Sequence, residues 1–463
     1  MKVIFCSRRN DCYLILTVLL SILIRFTFFV IFLQAGFSDD FSLHHYPDSV
    51  TYAIPADSIL NQGKFLNQQQ QPEIFRTPGY PLFLAFCKLI SAKNWIWAAI
   101  ILQLLLNTVS VVVLYEIIWA LSRNSKASFF GSLIAAFNLH DVYFCFFILS
   151  DSIAQSILII AVFFLIRFFQ KQQTVYLLLA AALLSTGTFI RPAGLYLPLL
   201  LAFLIFFYYV RQKMSVKALA IAILFLSIGF IPEFLWQLRN EQAAVYSGFS
   251  AIQEENLYSY HAAGIFAEKN GTSFYQEQEN LKNDPKVQEL TRTMSLQEAQ
   301  RKIAFEVISE NLPTYLYLNL KGAGYILFYP GLFDIAQIYP SFRNYIANMK
   351  SEFLSDSSQA EQIRNFLSNP FSILTLLNGF LLVTILVFTF WGIQRSFSSG
   401  IPLQINLMLL CFMIYFLLIH AGPNGFGTYP RFRLSISMLQ TIYVGLFIAK
   451  MNKKDGKTEA IAM

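Results

Sequence analysis

Apolar residues in this chain come in long unbroken runs, not at alternate positions as in a strand or at the spacing of a one-sided surface helix. The first, YLILTVLLSILIRFTFFVIFLQ (13–34), is long enough to cross a bilayer, which takes about 20 apolar residues. It is too long for a signal-peptide core and further runs follow, so it reads as an uncleaved helix. The pattern predicts ten spans, near 13–35, 95–120, 128–147, 152–169, 174–190, 194–210, 217–236, 370–393, 402–420 and 434–450. Between them lie two long polar segments, 36–94 and 237–369. The second holds VQELTRTMSLQEAQRKIAFEVIS (287–309), a mixed-charge pattern that predicts one solvated amphipathic helix. In 312–334, Lys321, Gly322, Gly324 and Pro330 interrupt an apolar stretch, which predicts a helix lying in or dipping into the membrane interface. The polar run 67–73, NQQQQPE, predicts a mobile loop.

Composition agrees with a membrane solvent. Hydrophobic residues make up 56% of the 463 and charged residues only 13%, where a soluble domain carries about 25%. The net charge of +7 does not point to nucleic acid, because the basic residues fall at the ends of apolar runs instead of on one face. Lys2, Arg8 and Arg9, then Arg123 and Lys126, Arg167 and Lys171, Arg211, Lys213 and Lys217, Arg395, and Lys450, Lys453, Lys454 and Lys457 share one side if there are ten spans. Both termini are then expected in the cytoplasm. Cys6, Cys12, Cys87, Cys145 and Cys411 avoid the long polar loop, so neither a disulfide framework nor a zinc site is indicated. The sequon at Asn270 matters only where such sites are glycosylated. The chain divides into a membrane module (1–236), an extracytoplasmic loop region (237–369) and C-terminal spans with a basic tail (370–463).

Charges on the opposite side carry the candidate chemistry. A charge held in a bilayer costs roughly 2.5–3.5 kcal/mol on insertion scales, so its retention needs a reason. Arg76, Arg191, Arg239, Arg431 and Arg433 all stand on the side disfavoured for cations. Together they could bind one phosphate, since the planar guanidinium fork matches phosphate oxygens; singly, each could snorkel to the headgroups. Asp48 heads the first polar segment and Asp151 begins the fourth span, where either could simply cap a helix. His140 and Asp141, on the turn between the third and fourth spans, are secondary candidates.

At these residues the chain resembles the polyprenyl-phosphate-sugar-dependent glycosyltransferases of the GT-C fold (glycosyltransferase family 39-like), in particular bacterial members related to protein O-mannosyltransferases and aminoarabinose transferases. The motifs are YPDSVTY with FRTPGYPLFLA, LSDSIAQ, FIRPAGLYLP, IPEFLWQLRN and RFRLSIS, in that order over nearly the whole chain. The resemblance implies an all-α polytopic fold and an inverting transfer from a polyprenyl-phosphate-linked sugar to an acceptor hydroxyl on a protein, lipid or glycan. Asp48 would be the general base, Asp151 would organise acceptor or base, and Arg76, Arg191 and Arg431 or Arg433 would hold the lipid phosphate. Tyr52, Tyr80, His140, Asp141 and Arg239 are possible donor or acceptor contacts. No metal is required by this constellation, although a divalent ion stays open because oligosaccharide-transferring relatives use one. Two departures stand out: many relatives have paired acidic residues where this chain has Asp48-Ser49, and Pro55 breaks the helix expected after Asp48. A bacterial inner membrane, with the site facing the periplasm, is the expected location. The competing readings are a transporter or flippase of lipid-linked sugars, a polymerase or ligase using a lipid-diphosphate donor, and an inactive scaffold.

Overall fold

The structure is a computed structural model that describes residues 12–36, 44, 46–332, 335, 370–423 and 429–451. The basic clusters at 2–9 and 453–457, Cys6 and most of 333–369 lie outside the described residues. Every regular element among the described residues is helical. In chain order these are α1 (Cys12–Gln34), α2 (Ser49–Gln62), α3 (Gly79–Ile90), α4 (Trp95–Ser122), α5 (Ser125–Ala136), α6 (Leu139–Tyr143), α7 (Asp151–Lys171), α8 (Thr174–Ile190), α9 (Leu197–Arg211), α10 (Ser215–Gly229) and α11 (Ile231–Ala244). Then follow α12 (Ile252–Glu255), a π-helical run (Asn256–Ala262), α13 (Ala263–Asn270), α14 (Phe274–Lys282), α15 (Pro285–Leu290), α16 (Leu296–Glu310), α17 (Leu312–Phe328), α18 (Pro370–Phe397), α19 (Leu403–His420) and α20 (Tyr429–Met451).

Seven of these helices are long and apolar enough to cross a membrane. Two bent pairs bring the number to nine if each is a single broken span: α5 with the segment 139–146, at 53°, and α10 with α11, at 44°. The remaining expected span, 174–190, is α8, a shorter apolar helix of 17 residues. At 1.5 Å per residue it covers about 26 Å, a little less than the hydrocarbon thickness.

The sequence of each segment explains where it bends or breaks. In the first polar segment α2 continues through Pro55, and α3 stacks on it. Residues 67–73 form a hydrogen-bonded turn: Asn67 Oδ1 accepts from the backbone N–H of Gln69 and of Gln71, each at 3.0 Å. The amphipathic stretch 287–309 is two helices instead of one. Ser295 and Glu298 form a reciprocal capping box that starts α16 afresh. From there Ala299, Ile303, Ala304 and Val307 bury one face. Lys321, Gly322 and Gly324 do not interrupt α17, which ends before Pro330.

Burial follows from this order. One apolar core fills the body of the bundle between α4, α7, α8, α9, α19 and α20. A second joins α1 to α4 with the turn at 142–153, and a third lies inside the small helical unit 258–318. Basic residues mark one end of the bundle, where Gln170 donates to the Ala120 carbonyl and Arg395 to that of Phe447. Asp48, Asp151 and Arg191 lie at the other end.

Candidate active site

The two candidate carboxylates meet because two turns are strapped together. Ser49 donates its hydroxyl to the Ile148 carbonyl at 2.9 Å and accepts from the Tyr46 N–H at 2.8 Å. The Ile148 N–H in turn donates to the His44 carbonyl at 3.1 Å. His44 and residues 46–49 are thereby laid along the turn that leads into Asp151. Asp48 stands at the N-cap of α2, yet its side chain caps nothing, and no side chain caps α7. Both carboxylates face arginines instead.

The first arginine arrives on the loop before α3. Buried Glu73 accepts the backbone N–H of Phe75 at 2.6 Å and of Arg76 at 3.0 Å, which folds the loop back on itself. Burial pushes the Glu73 carboxyl up, against those same hydrogen bonds. Gly79 then lets the start of α3 touch the end of α8: a Cβ there would stand 2.6 Å from the Phe189 carbonyl carbon. This is the physical content of the RTPGY motif, since no other residue allows the Arg76 and Arg191 loops so close. Arg191 itself ends α8 in an extended conformation, as Pro192 after it requires. Arg431 projects from the first turn of α20.

The result is a chain of alternating charge. Arg76 Nη2 donates to Asp48 Oδ1 at 2.8 Å, and Arg431 Nη1 to Asp48 Oδ2 at 2.7 Å. Arg431 Nε donates to Asp151 Oδ2 at 2.8 Å, and Arg191 Nη1 pairs with Asp151 Oδ1. Three guanidiniums against two carboxylates leave one positive charge. Arg76 also donates to Thr51 Oγ1 at 2.8 Å and to Tyr52 OH at 3.2 Å, and lies 4.3 Å over the Tyr52 ring. Arg191 Nη2 is 3.4 Å from His420 Nε2, and His420 Nδ1 is 2.9 Å from the Phe416 carbonyl. A carbonyl only accepts, so Nδ1 carries the proton and Nε2 takes the one from Arg191. Burial alone would raise the Asp48 carboxyl, but Arg431 and Arg76 outweigh it and hold it well below the usual carboxylate range.

This chain borders a cavity of about 540 Å³, a size typical of small-molecule sites. Asp48, Tyr52, Arg76, Arg191 and Arg431 line it, whereas Asp151 sits behind them, buried, holding two of the arginines. The other candidates are elsewhere. Arg433, two residues and about 200° around the helix from Arg431, donates to the Tyr329 carbonyl at 2.8 Å. Arg239 donates to the carbonyls of Glu73 at 2.8 Å and Phe65 at 3.3 Å and lies 4.7 Å over the Trp236 ring. Tyr80 is buried, donating to Gln103 Oε1 at 2.9 Å. Asp141 accepts from Asn138, Gln155 and Ser437, tying α6 to α7 and α20, and His140 is buried against Gly331.

Sequence reasoning passed over His420, Tyr46, Tyr260 and His261, all of which line the cavity. His420, closing an apolar run, was a readable signal; the others depend on packing between distant segments. It also passed over Arg25, a cation inside the first apolar run, which is buried and donates to Asn107 Oδ1 at 3.1 Å from Nε. Among the described residues no three His, Cys, Asp or Glu side chains are grouped to hold a metal ion.

Comparison with known proteins bears on the fold and on part of the chain. The Archaeoglobus fulgidus oligosaccharyltransferase in its apo form superposes with a TM-score of 0.52 at 12% identity, over 96% of this chain and 50% of that one. The same enzyme tethered to an acceptor peptide gives 0.50 at 10% identity, over 96% and 49%. ArnT from Cupriavidus metallidurans bound to undecaprenyl phosphate aligns more loosely, with a TM-score of 0.38 at 10% identity over 94% and 78%. The chain thus spans about half the length of the oligosaccharyltransferase it matches, and the architecture they share is the GT-C fold that the motifs imply. No curated protein sequence matches the chain. Residues 75–236, which carry Arg76, Asp151 and Arg191, match the family model described as dolichyl-phosphate-mannose-protein mannosyltransferase.

Proposed function

We propose that the protein is an integral-membrane glycosyltransferase that moves a sugar from a polyprenyl-phosphate carrier to an acceptor hydroxyl. The observation that carries this reading is the Arg76–Asp48–Arg431–Asp151–Arg191 chain, with its net positive charge beside a cavity at one end of an apolar bundle. A sugar phosphate on a lipid tail brings the complementary anion to that depth. The family-model match and the shared fold point to the same chemistry.

In this reading the acceptor oxygen bonds to the anomeric carbon while the bond from that carbon to the phosphate oxygen breaks. The electron pair leaves with the phosphate, stabilised by Arg76, Arg191 and Arg431 without a general acid. The acceptor proton passes to Asp48, and displacement from the far side inverts the configuration. Asp48 is a weak base while two guanidiniums hold it. The donor phosphate competes for those guanidiniums, so the carboxylate regains basicity when the donor is bound. Asp151, which does not line the cavity, keeps Arg191 and Arg431 aligned.

Arg123, Lys126, Arg167, Lys171, Arg211, Lys213, Lys217 and Arg395 stand at the helix ends away from the cavity. By the positive-inside rule this end is cytoplasmic and the cavity opens on the extracytoplasmic side, in a bacterium the periplasmic face of the inner membrane. The test is turnover of radiolabelled polyprenyl-phosphate sugars by the detergent-purified protein beside Asp48→Asn. Release of label from a donor by the wild type, at least about 100-fold slower in the variant, supports the reading. Equal release by both forms removes Asp48 as base, and release by neither removes the transferase.

A further inference from the structure

The cavity that the arginines line has a further wall with no part in the chemistry above. It is made of α12 and the π-helical run after it, and it presents Gln253, Glu255, Asn256, Tyr260 and His261 to the cavity. π-helical turns are rare and concentrate at functional sites. The α12 turn that leads into it is held in place: buried Glu254 accepts two N–H bonds from Arg301, at 2.9 and 2.5 Å, and the Tyr246 hydroxyl at 2.7 Å. It is also tied to the loop of Arg76, because Ser250 donates to the Phe75 carbonyl at 2.6 Å and the Ala251 N–H to that of Ile74 at 2.9 Å.

His261 is the unexplained member. Its Nδ1 is enclosed and has no hydrogen-bond partner, although the residue lines the cavity. An orphaned buried nitrogen is costly, and a hydrogen bond from a ligand is one way to offset it. The fold makes room for this ring. Gly422 has φ +139°, and a Cβ there would lie 2.6 Å from His261 Cε1, so any side chain would displace the imidazole. Burial pushes His261 down to about 4, and the neutral ring can then donate to a hydroxyl or accept from one. Tyr260 lies beside it. It lines the same cavity as Asp48, and burial, then the Asp48 and Glu255 carboxylates, push its phenol up.

We infer that this wall is a saccharide-binding subsite that seats the hydroxyl-bearing acceptor opposite Asp48, with Tyr260 and His261 as its recognition groups. The inference rests on the transferase reading above. A saccharide fits better than a polypeptide for two reasons. The cavity combines amides and a carboxylate, which bond hydroxyls, with the rings of Tyr46, Phe249, Tyr315 and Phe432, which cover apolar sugar faces. The wall is also helical, so its backbone groups are already bonded and offer no strand edge for a peptide to extend.

The experiment follows the fate of label from a radiolabelled polyprenyl-phosphate hexose that the detergent-purified wild type turns over. Methyl hexopyranosides, or peptides containing Ser and Thr, compete with water as acceptor. A methyl hexopyranoside should divert label from water to glycoside with saturation. Tyr260→Phe, which removes one oxygen, and His261→Gln should each lower the glycoside-to-water ratio about 5- to 10-fold, through a raised KM for the glycoside. A fall in either variant supports the subsite. Diversion to peptides alone overturns it, as does a wild-type ratio in both variants, and in either case the transferase reading stands. If no donor is turned over at all, that reading and the subsite fall together.

Discussion

Arg431 joins the two carboxylates, so replacing it should damage stability and activity by amounts that can be separated. In Arg431→Gln, Asp48 loses a partner at 2.7 Å and Asp151 one at 2.8 Å, in a site where the Arg431 side chain is only 9% exposed. Removing one member of a buried ion pair costs roughly 3–5 kcal/mol. Here each carboxylate keeps a second guanidinium, Arg76 on Asp48 and Arg191 on Asp151, so the low end applies. The expected loss of stability is about 3 kcal/mol. Loss of one donor to developing charge slows turnover by about 10²–10³. Arg431→Lys keeps the charge, but its ammonium cannot bridge both carboxylates as the planar fork does. It should recover most of the stability and fall about tenfold short in rate. Thermal unfolding in detergent and release of label from the lipid-phosphate donor read the two effects on one preparation. A folded Arg431→Gln protein within about threefold of wild-type turnover would refute the assignment of Arg431 to the leaving phosphate, because no donor of that kind is worth so little.

Asp48 sets the pH behaviour. Its folded value is depressed, so its contribution to stability is complete above the ordinary aspartate value of about 3.9 and is lost only as pH falls through the lower folded value. kcat/KM should therefore stay flat from about pH 8 to about pH 5, and Arg431→Gln should move the acid limb upward; a wild-type limb near pH 6–7 would count against the pairing. Gly79→Ala forces a Cβ to within 2.6 Å of the Phe189 backbone, so about 1–3 kcal/mol of stability should disappear, measured by thermal unfolding. Arg239→Met takes the donor from the Glu73 and Phe65 carbonyls and loosens the loop behind Arg76; an increase of about 5- to 10-fold in donor KM, larger than any change in kcat, is the expected sign.

The sequence reading succeeded where a single physical term dominated. Apolar runs located α1, α4, α7, α9, α18, α19 and α20 to within a few residues, because backbone in a bilayer must bond within its own helix. The convergence of Arg76, Asp48, Arg431, Asp151 and Arg191 was also legible, since charges placed against the topology rule share one end of the bundle. Which of two nearby arginines faces the cavity was not. Arg431 and Arg433 differ only in their rotation about α20, and that is set by the helices around it. A helix after Asp48 was expected, but its passage through Pro55, the extent of α3 and the break before Ser295 were hidden by composition that suits a loop or one long helix equally. His261 could not be read at all, because its place depends on Gly422, more than 150 residues away.

The charge chain also imposes an order in time. Asp48 and Arg431 stand 383 residues apart in the chain, and α20, which carries Arg431, is the most enclosed of the candidate spans among the described residues, with 78% of its apolar window buried. The centre of the bundle is therefore made after the helices that flank it. Until α20 inserts, α7 keeps an open flank, Asp141 and Gln155 lack Ser437, and Asp48 and Asp151 have no common partner. A half-made chain can hold its lipid-facing helices in place and still have no site. The charge chain closes in one step, when α20 packs, so a polypeptide in the membrane that still lacks this helix holds no assembled site.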